Sequence, residues 1–506
     1  MIKKQITVII VAVVVLVGSV VLYFTAVKPF IDSRAYVEEA PETLEGEEIG
    51  TSNRFYMYSS LSREDMKSIE ISNGSGSYRF VKNSNDDFEI EGYKGVALDD
   101  KLLSSLVTTC GSTLSKSKVM DNASEEKLEE YGLTEPQAYW IVTDKNDRQY
   151  KVLVGRELLT GGGYYCMFAG RASVYVLGTT VSETVLQPAE AFVTPYIIFG
   201  IDSDDYYTID NFTVFKGKDK FISVGIVPRE QMNNKEAIVE NVLTYPAPYV
   251  PDGDTLFNIY MGFSSFTGDS TYKLGADEAT LKECGLDDPA YTVSFDYGGK
   301  TYYFFVSELQ EDGTYYVISN IYSVIITKIS AESLEYLEYG IMDWISPYIF
   351  QYYITSVSEF TVKTKDVDVT FKLIHGTDDD GNPTLQALSS TGVTISGTSA
   401  VDNFRQYYKS LLSIQIQDYL PDTVPNVGGS FDDFVSNGDN CDMTFSYKNL
   451  EGKVTTYKFY RYSTRRSAVT VNSECTFYVL SDLVEKISHD TLRVLNGETV
   501  EAYGKN

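Results

Sequence analysis

Apolar positions recur along the chain with three different spacings, and each spacing predicts a different kind of element. From Ile6 to Val27 there is no polar interruption by charge at all. At ~1.5 Å of rise per residue a helix of this run spans about 33 Å, enough for a bilayer core. The run ends at Thr25-Ala26-Val27 before Lys28-Pro29, without a small-x-small exit, so an uncleaved anchor is preferred to a cleaved signal. Further on, alternation of period two predicts strands. SerIleGluIleSer (68–72) and TyrArgPheValLys (78–82) form a hairpin across Asn73-Gly74; segments 139–143, 150–154, 164–168 and 173–177 form a four-strand meander. Helical spacing appears three times, at Leu102, Leu103 and Leu106, at Leu256, Ile259, Tyr260 and Phe263 behind an Asp254 cap, and at Phe404, Tyr407, Tyr408, Leu411 and Leu412.

These elements come in the same order more than once. LeuGluGluTyrGlyLeuThrGluPro at 128–136 returns as LeuLysGluCysGlyLeuAspAspPro at 281–289. Gly163-Tyr164-Tyr165 matches Thr314-Tyr315-Tyr316, Pro195-Tyr196-Ile197 matches Pro347-Tyr348-Ile349, and Phe212-Thr213-Val214 matches Phe360-Thr361-Val362. A period this long means duplicated domains, since solenoid repeats run ~20–50 residues. A third copy keeps the later strands at 456–462 and 476–480, with a Pro/Gly/Asp loop at 421–442 replacing the short helix that ends at Gly132 or Gly285. The predicted class is α+β: an N-terminal transmembrane helix, then three tandem repeats of a twisted antiparallel sheet with helices on one face. The expected boundaries are 1–30 for the anchor, 31–60 for an acidic linker, and 61–204, 205–354 and 355–506 for the repeats.

Composition narrows the function. A length of 506 residues requires several domains, and 40 Tyr against 2 Trp suits half-wet strands. A net charge of −29 repels phosphate backbones, so no nucleic-acid partner is expected. Lys3 and Lys4 precede the apolar run, and Glu38, Glu39, Glu42, Glu45, Glu47 and Glu48 follow it. The positive-inside bias then places the N-terminus in the cytoplasm and the remainder outside, on a cell membrane crossed once. The first partner expected is therefore the lipid bilayer, held between Ile6 and Val27. Five cysteines are too few for a disulfide scaffold; Cys166 and Cys284 read as small apolar fillers, and pairing of Cys441 with Cys475 stays open.

Motifs that could carry chemistry are weak. GlyGlyLysThr at 298–301 lies between strands and lacks the first glycine of a phosphate loop, so it reads as a hairpin turn, as does Thr160-Gly161-Gly162-Gly163. Ser-x-x-Lys at Ser115/Lys118 and Ser124/Lys127 has none of its companion elements. His375 and His489 are the only histidines and read as surface residues; AspAspAspGlyAsn at 378–382 lacks the last calcium ligand and reads as a hairpin tip. No enzyme, cofactor or metal is expected. Tyr164, Tyr165, Tyr315 and Tyr316 are the candidate interaction surface, one of each pair facing the core and the other solvent because neighbouring strand residues point to opposite faces.

The nine-residue repeat, LysValLeuValGly at 151–155, GlyGlyTyrTyr at 162–165, SerValTyrValLeu at 173–177 and their later equivalents resemble the domain-of-unknown-function 4340 family of bacterial membrane-anchored proteins over most of 65–500. The resemblance implies an extracytoplasmic partner of ABC transport systems with a gliding-motility-type auxiliary component, and it implies no catalytic residue. Val306-Ser307 replaces Val154-Gly155 in copy two, so a ligand role of that turn would not be shared. The expectation is a non-enzymatic anchored accessory protein bound to an ABC permease or auxiliary subunit. The alternatives are a wall- or glycan-binding module and a wall hydrolase using paired carboxylates.

Overall fold

The structure, a computed structural model, describes residues 15–28, 46–50, 54–232, 238–246, 248–425, 427–471 and 474–501. Three large sheets follow one another along the chain. The first is built from β1 (Met66–Asn73), β2 (Gly76–Lys82), β3 (Phe88–Ile90), β4 (Ser117–Met120), β5 (Ala138–Asp144), β6 (Gln149–Glu157), β7 (Tyr164–Phe168) and β8 (Val174–Leu177). The second comprises β9 (Asp210–Lys216), β10 (Asp219–Ile226), β11 (Asn241–Tyr245), β12 (Ser270–Leu274), β13 (Tyr291–Tyr297), β14 (Lys300–Val306), β15 (Thr314–Ser319) and β16 (Ile325–Ser330). The third comprises β17 (Val357–Thr364), β18 (Asp368–Thr377), β19 (Pro383–Ser389), β20 (Thr394–Ile395), β21 (Ile416–Tyr419), β22 (Cys441–Asn449), β23 (Val454–Arg461), β24 (Arg466–Val471) and β25 (Glu474–Leu480).

Strand order is β3-β2-β1-β5-β6-β7-β8-β4 in the first sheet and β11-β10-β9-β13-β14-β15-β16-β12 in the second. The third, β20-β19-β18-β17-β22-β23-β24-β25-β21, has that order with β20 added at one edge. The predicted hairpin and meander are thus halves of one sheet, joined by antiparallel pairing of the first strand with the meander, such as Ile71 with Trp140. The strand that closes each meander, β4, β12 or β21, had no readable signal because it is short and half-exposed. Gly298-Gly299 does form the two-residue turn between β13 and β14, both with positive φ. The first hairpin turns one residue later than expected, at Gly74-Ser75, because Asn73 still pairs with Gly76. The Asn73 amide donates to the carbonyls of Val185 and Gln187, at 2.8 Å each, and this holds it in the strand end.

Among the described residues, seven α-helices of more than one turn accompany the sheets: α1 (Asp100–Gly111), α2 (Glu125–Glu130), α3 (Gly253–Gly262), α4 (Glu278–Glu283), α5 (Thr398–Leu412), α6 (Phe431–Ser436) and α7 (Ser481–Leu495). The α3 cap is Asp252, which accepts from Thr255 N at 2.9 Å, and the expected cap Asp254 lies in the first turn. Helices on one face were expected, but both faces are covered. α1, α3, α5 and α7 bury their stripes, Leu103 and Leu106, Ile259 and Tyr260, Phe404 and Tyr407, Val484 and Ile487. α2 lies over Leu153 and Met167, which face away from Val152 and Val154 by strand alternation. α4 covers Ile318 and Ile326 in the same way. The loop expected at 421–442 contains α6, whose Phe431 and Phe434 cover Tyr460, Tyr462 and Tyr478. It is capped by Ser430, which accepts from Asp433 N, so a short capped helix serves the third sheet too, with no Gly-Leu-x-x-Pro sequence.

The chain divides into two compact units, residues 1–192 and 193–506. In the second unit one continuous core takes in Phe212, Phe295 and Phe304 of the second sheet together with Phe360, Phe445 and Phe459 of the third. Phe350, on the connection between those sheets, sits against Tyr408, Phe445, Tyr447 and Tyr457 with ring centroids 5.0–6.3 Å apart.

Candidate functional site

The expected anchor begins at Ile6, outside the described residues; from Val15 to Lys28, including Val27, the backbone is helical. Val15, Leu16, Val17, Val20, Val21, Leu22 and Phe24 are all exposed, which leaves no packed face on this helix. Among the described residues no helix is long and apolar enough to cross a membrane.

Of the tyrosine pairs, Tyr164 and Tyr315 are buried, as alternation requires. Their neighbours are half-covered: Tyr165 stacks on Tyr131 at 4.3 Å and Tyr316 leans on Tyr272 at 4.5 Å. The end of α2 places Tyr131 and strand β12 places Tyr272, so the expected open platform is largely occupied from within. The Val154-Gly155 turn has a packing explanation. A Cβ on Gly155 would stand 2.2 Å from the Tyr131 carbonyl oxygen. In the second sheet Ser307 instead accepts from Tyr316 N at 3.0 Å.

Sequence reasoning missed a buried charged cluster at the edge of the first sheet. The Glu47 side chain, in the stretch read as a solvated linker, is fully buried and pairs with Lys118 Nζ at 3.0 Å. The Tyr175 hydroxyl donates to the same carboxylate. Lys118 also meets Asp121 at 2.6 Å and lies 4.7 Å over the Phe55 ring. Burial pulls the Asp121 carboxyl up, but hydrogen bonds from Lys118 and from Ser173 outweigh it and hold the group below the usual carboxylate range. Burial, reinforced by Glu47, pushes the Tyr175 phenol up. Residues that follow Glu47 extend the attachment: Phe55 N bonds Ser115 Oγ, Met57 N bonds Thr113 Oγ1, and the Tyr58 hydroxyl donates to the Cys110 carbonyl. Both members of the Ser115/Lys118 motif therefore dock the chain leading into the first sheet. Ser124 is the α2 N-cap, accepting from Lys127 N. No spacing rule links Glu47 to Lys118 and Tyr175, which only the fold brings together.

A second feature is a groove of about 190 Å³ between α3 and the turn Ala331–Leu337. Ile259, Phe263 and Phe266 form its apolar floor, and Asn258, Glu332 and Glu335 stand at its walls. Tyr336 also lines it, buried, with a hydroxyl that has no hydrogen-bond partner. Glu335 accepts from the Tyr339 hydroxyl at 3.0 Å, whereas the Glu332 carboxylate has no partner among the described residues.

The remaining candidates settle into structural roles. His375 Nε2 bonds the Val357 carbonyl at 2.8 Å, and His489 lies in α7. Asp378 closes the β18–β19 hairpin by accepting from Asp380 N and Asn382 N. Cys441 is a free thiol. Its strand β22 is separated from β25, which carries Cys475, by β23 and β24. At ~4.8 Å per strand the two backbones are about 14 Å apart, twice the reach of a disulfide. Cys110, Cys166 and Cys284 are buried fillers whose thiols burial pushes up, Cys284 to about 11. Iodoacetamide at pH 7.5 is therefore expected to modify Cys441 in the native chain and to reach Cys110, Cys166 and Cys284 only after unfolding, as read by peptide mass spectrometry.

Comparison with known proteins adds a family. No curated protein and no solved structure matches the chain. Residues 89–224 and 267–428 match the family described as Domain of unknown function (DUF4340). Each matched stretch begins within one sheet, takes in its meander, and ends in the sheet that follows. Together they cover more than half of the chain, with the β-meander and α2- or α4-type helix in both: this chain belongs to the DUF4340 family.

Proposed function

We propose that this protein is a non-enzymatic, single-pass accessory protein, held at the cell membrane by its N-terminal helix and exposing three copies of one α+β module on the extracytoplasmic side. The observation that carries this reading is the helix ending at Lys28, which exposes apolar side chains around its whole circumference. Such a surface is unfavourable in water by about 25 cal/mol per Å² and favourable in lipid. The shared strand order of the three sheets supports duplication of a module. A serial arrangement of like surfaces beside a membrane suits binding to a membrane complex, because tethering raises the effective concentration of each. The family resemblance points to an ABC-type transport assembly as that complex.

The reading is tested by tagging the C-terminus, labelling intact cells with a membrane-impermeant biotin reagent, and cross-linking before extraction in mild detergent. Biotin on the tag and a permease or auxiliary subunit in the cross-linked fraction are the expected results. A shielded tag, or cross-linked material without any transporter subunit, would reject it. The burial of Tyr164 and Tyr315 gives no support to a glycan platform on those two residues.

A further inference from the structure

We propose that Lys118 and Glu47 are a covalent modification site: they join in an intramolecular amide between the lysine Nζ and the glutamate Cδ, which staples the chain entering the first sheet to β4. The ion pair of the newly folded chain is the reactant. It is dry on both sides, with the Lys118 side chain 9% exposed and that of Glu47 0%, whereas Lys486 in its pair with Asp490 is 23% exposed. Nζ stands 3.0 Å from Oε1 and 3.1 Å from Oε2. Cδ lies between these two oxygens, so the nitrogen is held against the carbon it attacks. Groups oriented in this way, ~3–3.5 Å apart, react with effective molarities of about 10⁵–10⁸ M, which offsets the poor equilibrium of amide formation between free molecules. The Phe55 and Tyr175 rings lie 4.7 and 5.8 Å from Nζ and shield the pair from water.

Two further side chains supply what the reaction needs. Asp121 Oδ1 is 2.6 Å from Nζ and accepts from Ser173 Oγ at 2.8 Å. The Tyr175 hydroxyl donates to Glu47 Oε1, and burial pushes its phenol up, so it stays a donor at neutral pH. One proton first passes from the ammonium to Glu47 Oε2, leaving an amine and a carboxylic acid in a pocket where separated charges are costly. The Nζ lone pair then attacks Cδ. As the C–N bond forms, the carbonyl electrons move onto Oε1, and Tyr175 holds the resulting oxyanion. The Asp121 carboxylate takes a proton from Nζ and returns it to the Oε2 hydroxyl, which leaves as water when the carbonyl re-forms. Nothing is oxidised or reduced, Asp121 is regenerated, and the products are one amide and one water.

The test is intact-mass spectrometry of the full chain in mild detergent during prolonged incubation at neutral pH, followed by proteolysis and peptide mapping. A fraction lighter by one water is expected to accumulate, and its digest should contain the peptide with Glu47 joined to the peptide with Lys118. Lys118→Arg keeps a cation beside Glu47 but supplies no amine, so it should show no water loss at an unchanged Trp140 unfolding transition. Asp121→Asn should slow the conversion at least tenfold and Tyr175→Phe severalfold, each measured on chains whose Trp140 transition shows the first unit folded. Lys486 and Asp490, which lack a second acid and a phenol in contact, should stay unlinked. A mass that never changes in the wild type, a water loss that persists in Lys118→Arg, or a bond mapped to Lys118 and Asp121 instead would overturn the assignment. The readout is the covalent bond itself and does not depend on where the chain is located in the cell.

Discussion

Phe350→Ala is expected to lower the stability of the second unit by about 3–5 kcal/mol, the usual cost of deleting a buried phenylalanine. Its ring fills the space between Tyr408 of α5 and the β22 and β23 residues Phe445, Tyr447 and Tyr457. The chain reports this by itself, because its two tryptophans are divided between the units, Trp140 in the first and Trp344 in the second, both fully buried. In a Trp140→Phe background the remaining fluorescence follows the second unit. The denaturant midpoint there should fall with Phe350→Ala. In a Trp344→Phe background the Trp140 transition should stay where it was. Because the second and third sheets share one core, Trp344 emission and a probe on α7 should move together. Separate transitions for them would show that the two sheets fold independently.

Lys118→Met is the second large effect. It leaves the Glu47 carboxylate buried without its cation, and breaking a buried pair in this way costs about 3–5 kcal/mol. The carboxylate can escape that penalty by leaving its pocket, so the loss should appear as faster amide exchange at 46–50, with β1 and β2 unchanged. Glu47→Gln should be milder, about 1–3 kcal/mol, because Lys118 keeps Asp121 at 2.6 Å. The cluster also predicts an acid dependence. Asp121 is held below its ordinary value, so its contribution is present above the unfolded value of about 3.9 and is lost as pH falls through the folded one. Protection of the 46–50 amides, relative to their intrinsic exchange rates at each pH, should therefore fall in the wild type on acidification below about pH 4. A flat profile there would remove Asp121 from the attachment.

What the sequence revealed and what it hid follow a physical division. Local signals were legible: Gly132 and Gly285 do end α2 and α4 in the left-handed region, and the stripes Tyr260/Phe263 and Phe404/Tyr407 are core. Strand alternation predicted that one of Tyr164 and Tyr165 would be buried, and it is Tyr164. The hidden features depend on partners distant in sequence. β4 is a strand because β8 pairs with it, and its own four residues alternate too briefly to announce themselves. α6 escaped notice because Asp432 and Asp433 next to a run of glycines look like a loop until Ser430 caps them and Phe431 finds Tyr462. Glu47 reads as one more solvated acid among its neighbours, and only Lys118 and Tyr175, supplied by the far edge of the sheet, make it a buried ligand. The groove was invisible for the same reason, since α3 and Tyr336 are brought together by a whole sheet.

The burial of Glu47 also sets a length. With that residue fixed to the first sheet, the chain between the apolar helix and the docked segment is the stretch 29–45. Even drawn straight at ~3.3–3.6 Å per residue it reaches only about 60 Å. A leash running to residue 60 would have allowed roughly 110 Å by the same arithmetic. The edge of the first sheet that holds Glu47 must therefore lie within about 60 Å of the point where Lys28 leaves the helix, and severing one buried ion pair would lengthen that radius.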